Sequence, residues 1–282
     1  MRARAGASPA PTPETGSFFL HVLRRLVAET YLDAFRRKCA ERQGGAMNRL
    51  LATLWLDVRL QVRHRIYAIS VPLALVLGLA LRALFSAEQA AAVLAVFYLL
   101  IVGASTYFFA AALVLLDKSD GVFAALRTSP LSPGAYLASK TVTLTGLLLL
   151  ESTLIYLIAF AGTIERLWPL VLGLVLLAAM QTLLGLAQVA PHDAVTSFLV
   201  PGAAIMGTVL QLPVFWVFGA GPAWVWYLVP TQGPLLLILA AFEPIEPWQW
   251  LYALVVSTLA TAGAAWWALR RFRHYIEWQG GA

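Results

Sequence analysis

The sequence predicts an all-α integral membrane protein with six transmembrane helices. Its residues are 60% hydrophobic and only 12% charged, whereas a soluble domain is about 25% charged. Mean hydropathy is +0.77, and long apolar runs recur after residue 65. About 20 apolar residues cross the roughly 30 Å of hydrocarbon. Lipid offers no partner to unpaired backbone groups, so each run must be a helix.

Six apolar runs reach the length of a span. They are residues 66–85, 90–116, 141–161, 168–190, 197–218 and 248–269. A further run, residues 223–242, contains Pro230 and Pro234, and prolines interrupt a continuous helix. We therefore expect a re-entrant region between spans 5 and 6, as a hairpin or an interfacial helix pair on the outer face.

The basic residues predict the orientation. All but two of the 20 Lys and Arg residues lie in residues 1–65, 117–140 or 270–282, the exceptions being Arg82 and Arg166. Because cytoplasmic loops are enriched in Lys and Arg, both termini should be cytoplasmic in a multi-pass plasma (inner) membrane protein. The net charge of +6 follows from this bias and calls for no nucleic acid.

Residues 1–46 form an N-terminal extension, which we expect to be partly disordered because its first 16 residues are rich in Pro and Ala. The run Gln-Gly-Gly-Ala before Met47 is readily encoded by a purine-rich ribosome-binding sequence. Met47 is thus an alternative initiator, which would make residues 1–46 a start-site overrun. The membrane domain is residues 47–282.

An amphipathic pattern follows Met47. Its apolar stripe is Leu51, Leu54, Trp55, Val58, Val62 and Ile66, and the charged residues mostly off that stripe are Arg49, Asp57, Arg59, Arg63 and Arg65. Steps of three and four predict a helix. We interpret it as an interfacial helix whose basic residues contact membrane lipids; an ordinary basic flank of the first span is the alternative.

The longest polar interruption is Asp117–Lys140, "DKSDGVFAALRTSPLSPGAYLASK". It predicts a helix of about two turns between spans 2 and 3, capped by Ser119 or Asp120. The helix should end before Pro130 and Pro133. Its apolar face is Val122, Phe123 and Leu126. That face could press on the bilayer or a partner, or it could simply cover the helix bundle.

This segment resembles the one after the second span in ABC-2-type exporter permeases, which runs Glu-Lys-Glu-Arg-Gly-Thr-Leu-Glu-Ala-Leu, then Thr-Pro-Leu, Tyr-Leu and Lys. The matching positions are Asp117, Lys118, Gly121, Ala125-Leu126, Ser129-Pro130-Leu131, Tyr136-Leu137 and Lys140. The departures are Ser119, Asp120, Ala124 and Arg127. The resemblance covers residues 47–282, and "YLVPTQGPLLLILAAF" is similar to the outer region of the fluoroquinolone-export type.

The resemblance implies a half-transporter. Two permease copies, by default a homodimer, would each dock a separate ABC ATP-binding subunit on the cytoplasmic coupling helix. The coupling residues it implies are Asp117, Lys118, Gly121, Val122, Phe123, Leu126, Arg127 and Pro130. The chain would be no enzyme and hold no cofactor, since ATP and Mg would bind to the partner. The nearest phosphate-loop pattern, Gly134 to Thr141, lacks its second glycine.

Glu151 is a carboxylate inside the third span. A charge at that depth costs about 2.5–3.5 kcal/mol on insertion scales, which indicates a partner, a water-filled cavity or protonation. Glu151, Gln181 and Gln188 are candidate pathway residues; the alternative is that Glu151 only makes a polar contact with Gln181 or Gln188 of the next span. Asp193, after span 4, is interpreted as a helix cap.

The predicted function is therefore ATP-driven export of a hydrophobic or amphipathic substrate, drug-like or lipid-like. An ion-coupled secondary transporter and a non-transporting membrane anchor or assembly protein are the alternatives. No residue pattern indicates a catalytic or metal site, and the sequence does not name the substrate.

Overall fold

The computed structural model describes residues 46–86, 89–129, 131–160 and 166–278. Within these ranges the regular structure is helical, and six helices are long and apolar enough to cross a membrane. The all-α, six-span prediction is confirmed. The expectations for the N-terminal extension and Pro130 lie outside the described residues.

The six spans closely follow the predicted runs. They are Ile66–Leu84, Ala92–Ser119, Pro133–Ala159, Leu167–Val189, Val195–Val217 and Pro247–Tyr275. Span 3 begins eight residues before the predicted start, because proline fits the first turn of a helix. Span 2 extends to Ser119. The charged residues Asp117, Lys118 and Lys140 therefore lie within span helices rather than in the connecting loop.

An N-terminal helix, Ala46–Arg63, precedes the first span. The two helices are separated at Arg65, which has a left-handed backbone with φ of 58°. This residue ends one helix and permits a change of direction before the next. That the N-terminal helix lies in the membrane interface stays a prediction.

Spans 2 and 5 each contain one π-helical turn, Tyr98–Val102 and Met206–Leu210. A π turn disturbs the regular hydrogen-bond ladder. The Gln211 side chain, just after the second of these turns, donates to the Leu100 carbonyl within the first, at 3.0 Å. The two irregular turns are thereby joined.

Span 4 is the centre of the bundle. It packs against spans 2, 3 and 6, and 67% of its most apolar segment is buried within the chain. The corresponding share is only 28% for span 1, 33% for span 5 and 22% for span 6. These outer spans expose large apolar surfaces, which suit lipid or a second copy of the chain.

Two short helices, Ala223–Trp226 and Gln232–Leu239, connect spans 5 and 6. The second is buried along its length. It packs closely on spans 4 and 6: a Cβ on Gly173 would lie 2.9 Å from Ile238, and one on Gly233 would lie 3.1 Å from the Ala253 carbonyl. The run 223–242 is thus divided between two short helices, and the prediction that it forms a re-entrant region on the outer face stays a prediction.

Candidate functional site

A short helix, Val122–Thr128, connects spans 2 and 3 and is called the loop helix below. Gly121 precedes it with a left-handed φ of 71°, a conformation that favours glycine. No side chain caps the helix. The predicted cap by Ser119 or Asp120 is therefore wrong, because the span 2 helix continues through Ser119 and turns sharply at Gly121.

The apolar face of the loop helix points into the chain. Phe123 and Leu126 are buried, and the Phe123 ring packs on Tyr136 of span 3 and on Phe272 and Tyr275 of span 6, with centroids 5.7–6.0 Å apart. Span 6 continues into the basic tail, which supplies the last two rings. Phe123 and Leu126 therefore cover the helix bundle of this chain, which is one of the alternatives open for this face.

A buried charge cluster lies beside the root of the loop helix. Lys140 is 1% exposed, and its Nζ lies 3.1 Å from Asp57 Oδ1 and 2.8 Å from Asp117 Oδ2. The Tyr136 hydroxyl donates to Asp117 at 2.6 Å, and the Ser139 hydroxyl donates to Asp57. One ammonium and two hydroxyl donors therefore satisfy two buried carboxylates.

The cluster ties together three elements that are distant in sequence. Asp57 belongs to the N-terminal helix, Asp117 to the end of span 2, and Lys140 to span 3. One turn further along, Gln61 donates to Thr143 at 2.9 Å. Because buried ion pairs and hydrogen bonds need good geometry, these contacts fix the N-terminal helix against span 3.

Lys118 links the end of span 2 to the end of span 4. Its Nζ donates to the carbonyls of Ala190 and His192, at 2.6 and 2.7 Å, where a cation complements the helix C-terminus. It also pairs with Asp193 at 3.4 Å and lies 4.0 Å from the Tyr275 ring centroid. The predicted cap by Asp193 is wrong, because no side chain caps the span 5 helix.

Both charged motif residues, Asp117 and Lys118, thus contact this chain itself. The exposed residues at the start of the loop helix are Asp120, Gly121 and Ala124, while Val122 is half-buried. The side chain of Arg127 lies outside the described residues. Any partner of this helix must therefore contact its outer face, whereas its inner face is committed to the bundle.

The candidate pathway residues do not form one cluster. Gln188 accepts a hydrogen bond from the Tyr107 hydroxyl, and both amide atoms of Gln181 lack a partner among the described residues. Glu151 instead lines a cavity between spans 1, 2 and 3. The alternative that Glu151 contacts one of these glutamines is wrong, because Gln188 bonds to Tyr107 and the amide atoms of Gln181 have no partner among the described residues.

Comparison with known proteins identifies the family of this chain. A family model described as the fluoroquinolones export permease protein family matches residues 48–279. The chain belongs to this family. Two relatives named fluoroquinolones export permease protein, from Mycobacterium tuberculosis strains CDC 1551 / Oshkosh and ATCC 25618 / H37Rv, are each 33% identical over 170 residues. The match covers 60% of this chain and 71% of each relative.

In this family member, the N-terminal helix buries a polar face and exposes an apolar one. Its polar residues Thr53, Asp57 and Gln61 are buried, whereas Leu51 and Trp55 are 53% and 63% exposed. The basic residues Arg59, Arg63 and Arg65 are exposed as well, and the side chain of Arg49 lies outside the described residues. An apolar outward face with flanking arginines suits a membrane surface.

Proposed function

We propose that this chain is the membrane-spanning permease subunit of an ATP-driven exporter. It moves a hydrophobic or amphipathic substrate, drug-like or lipid-like, out of the cytoplasm. Membership of the export permease family and the drug class in the relatives' names support this proposal. In the plasma (inner) membrane, the loop helix and both termini face the cytoplasm.

The energy source is a separate ABC ATP-binding subunit, and the loop helix is its coupling helix. The observation that carries this proposal is that the two charged residues just before the loop helix bind neighbouring spans. Asp117 binds Lys140 of span 3, and Lys118 binds the end of span 4. A force on the exposed face of the loop helix would therefore pass directly into the spans.

Transmission needs rigid contacts on the inner side and a free outer side. The packing of Phe123 on the Phe272 and Tyr275 rings supplies the first, since packed interiors transmit displacement with little compression. The exposed residues Asp120 and Ala124 supply the second. ATP and Mg bind to the partner, and two permease copies form the working unit, by default as a homodimer.

A single substitution tests the partner without disturbing the fold. Ala124→Glu adds a charge on the exposed face of the loop helix, so folding should be unchanged, within about 0.5 kcal/mol. The bulky carboxylate should block the ATP-binding subunit. We expect tagged wild type purified from its native membranes in mild detergent to retain this subunit and its ATPase activity, and Ala124→Glu to lose both.

Ala194→Glu is the matched control, because Ala194 is an exposed alanine in the other cytoplasmic loop. It should keep the ATP-binding subunit. Release by both variants would contradict a role specific to the loop helix. Wild type that purifies without any ATP-binding subunit would overturn the energy source and favour an ion-coupled transporter or an anchor protein.

A further inference from the structure

Glu151 is a buried carboxylate that the fold does not pair with a cation. It is 6% exposed, and no ion pair found among the described residues includes it. In the buried charge cluster, by contrast, Lys140 pairs with both buried aspartates, Asp57 and Asp117. An unpaired intramembrane carboxylate is expensive and generally functional.

A small cavity of about 20 Å³ lies beside Glu151. Ser70 of span 1 and Ser105 of span 2 also line it, and the buried Ser70 hydroxyl has no hydrogen-bond partner among the described residues. A cavity of at least about 10–15 Å³ accommodates one water molecule. The cavity beside Glu151 can therefore accommodate a group as small as an ammonium, and it is far too small for a whole drug-sized molecule.

The remainder of the cavity wall is apolar and reaches the surface of the chain. Leu73 and Ile101 line it and are 46% and 36% exposed. Phe109 and Leu77 continue the same lining. The charged group of an amphipathic substrate could enter the cavity while its apolar part stays on the surrounding surface, which in the membrane is shielded from water.

We propose that Glu151, Ser70 and Ser105 form the binding site for the protonated primary amine of an amphipathic substrate. A primary ammonium has three N–H donors, and the site presents three acceptor groups. Ser105 already donates to the Val102 carbonyl at 2.8 Å, so its oxygen can accept a bond. The apolar wall strengthens the attraction between ammonium and carboxylate.

This inference rests on the proposed export function, whose cargo it names by chemistry. Binding can be measured on the full-length permease alone, in lipid nanodiscs without an ATP-binding subunit. The probe is a dansyl fluorophore on an alkyl chain that ends in a primary amine, and its neutral twin is the N-acetylated form. Energy transfer from the 10 tryptophans to the fluorophore reports binding.

Wild type should bind the amine about tenfold or more tightly than the neutral twin, as a charge-assisted hydrogen bond requires. Glu151→Gln, which keeps the shape, should abolish this preference without changing the elution profile of the nanodiscs. Ser105→Ala should reduce it by a few-fold. Thr153→Val is the matched control on the exposed face of span 3 and should retain the full preference.

Equal binding of the two probes by wild type, or an unchanged preference in Glu151→Gln, would overturn the proposal, as would the absence of saturable binding. These results are independent of the co-purification experiment. If the ATP-binding subunit docks but Glu151→Gln binds normally, only the amine site fails. If the amine preference stands but no such subunit is found, only the energy source fails.

Discussion

Replacing Lys140 with methionine should destabilise the protein by about 3–5 kcal/mol, the cost of leaving a buried charge without its partner. Lys140 is 1% exposed and lies against both Asp57 and Asp117. Methionine fills most of the space but removes the ammonium, so two carboxylates would face each other in the interior. The midpoint of thermal unfolding in detergent, followed by the monodisperse fraction, measures the loss.

Removing the carboxylates as well distinguishes lost charge from lost volume. In the Lys140→Met background, Asp57→Asn together with Asp117→Asn should recover most of the lost stability, because no uncompensated charge is left. The amides can still bond to the hydroxyls of Tyr136 and Ser139. A Lys140→Met protein that melts like wild type would show that the cluster does not stabilise the fold.

The spans were predictable because hydropathy is a local property. Each run of about 20 apolar residues must form a helix in lipid whatever its neighbours are, and all six predicted runs are confirmed as helices. The boundaries were less accurate. A charged residue marks the end of an apolar run, which predicts Lys140 in the loop, although its partners permit it to lie inside the helix.

Asp57 is the site residue that sequence reasoning missed. Because it lies among arginines, the sequence pattern predicts it on the polar face of a surface helix. Its partner is 83 residues away, and local periodicity carries no information on such distances. A signal was nevertheless present: Thr53, Asp57 and Gln61 recur at steps of four, which places them on one helix face.

The orientation of the loop helix was also not fixed by its pattern. Periodicity identified Val122, Phe123 and Leu126 as one face, but the same face suits a bilayer, a partner or the chain's own bundle. The structure buries Phe123 and Leu126, and span 6, which runs beyond its predicted end, brings Phe272 and Tyr275 onto the Phe123 ring. A charge at Phe123 would therefore test folding rather than partner binding.

The partners of Glu151 could not be predicted for a related reason. Burial of a carboxylate implies polar company, and the glutamines of the neighbouring span were the obvious choice. The packing of spans 1 and 3 places Ser70 there instead. Serines are common on span helices, so nothing in the pattern of residues distinguishes Ser70 and Ser105 from the others.

Gly185→Val should cost about 3 kcal/mol, the upper end for overpacking a tight interior. Gly185 of span 4 faces span 2, where a Cβ would lie 3.1 Å from the Tyr107 carbonyl carbon and 3.2 Å from its Cα. Both obstacles are backbone atoms, so no rotamer change can relieve them. Small residues permit such close approach of membrane helices, and a larger one must push spans 2 and 4 apart.

The separation would also weaken the hydrogen bond from the Tyr107 hydroxyl to Gln188, which joins the same two spans one turn away. Gly146→Val in span 3 is the control, because a Cβ there meets nothing within 4 Å; its effect should stay within about 0.5 kcal/mol. Thermal unfolding of both variants, measured in the same detergent, makes the comparison. Equal melting temperatures for the two would mean that the contact between spans 2 and 4 can relax, and that span 4 is not the rigid centre of the bundle.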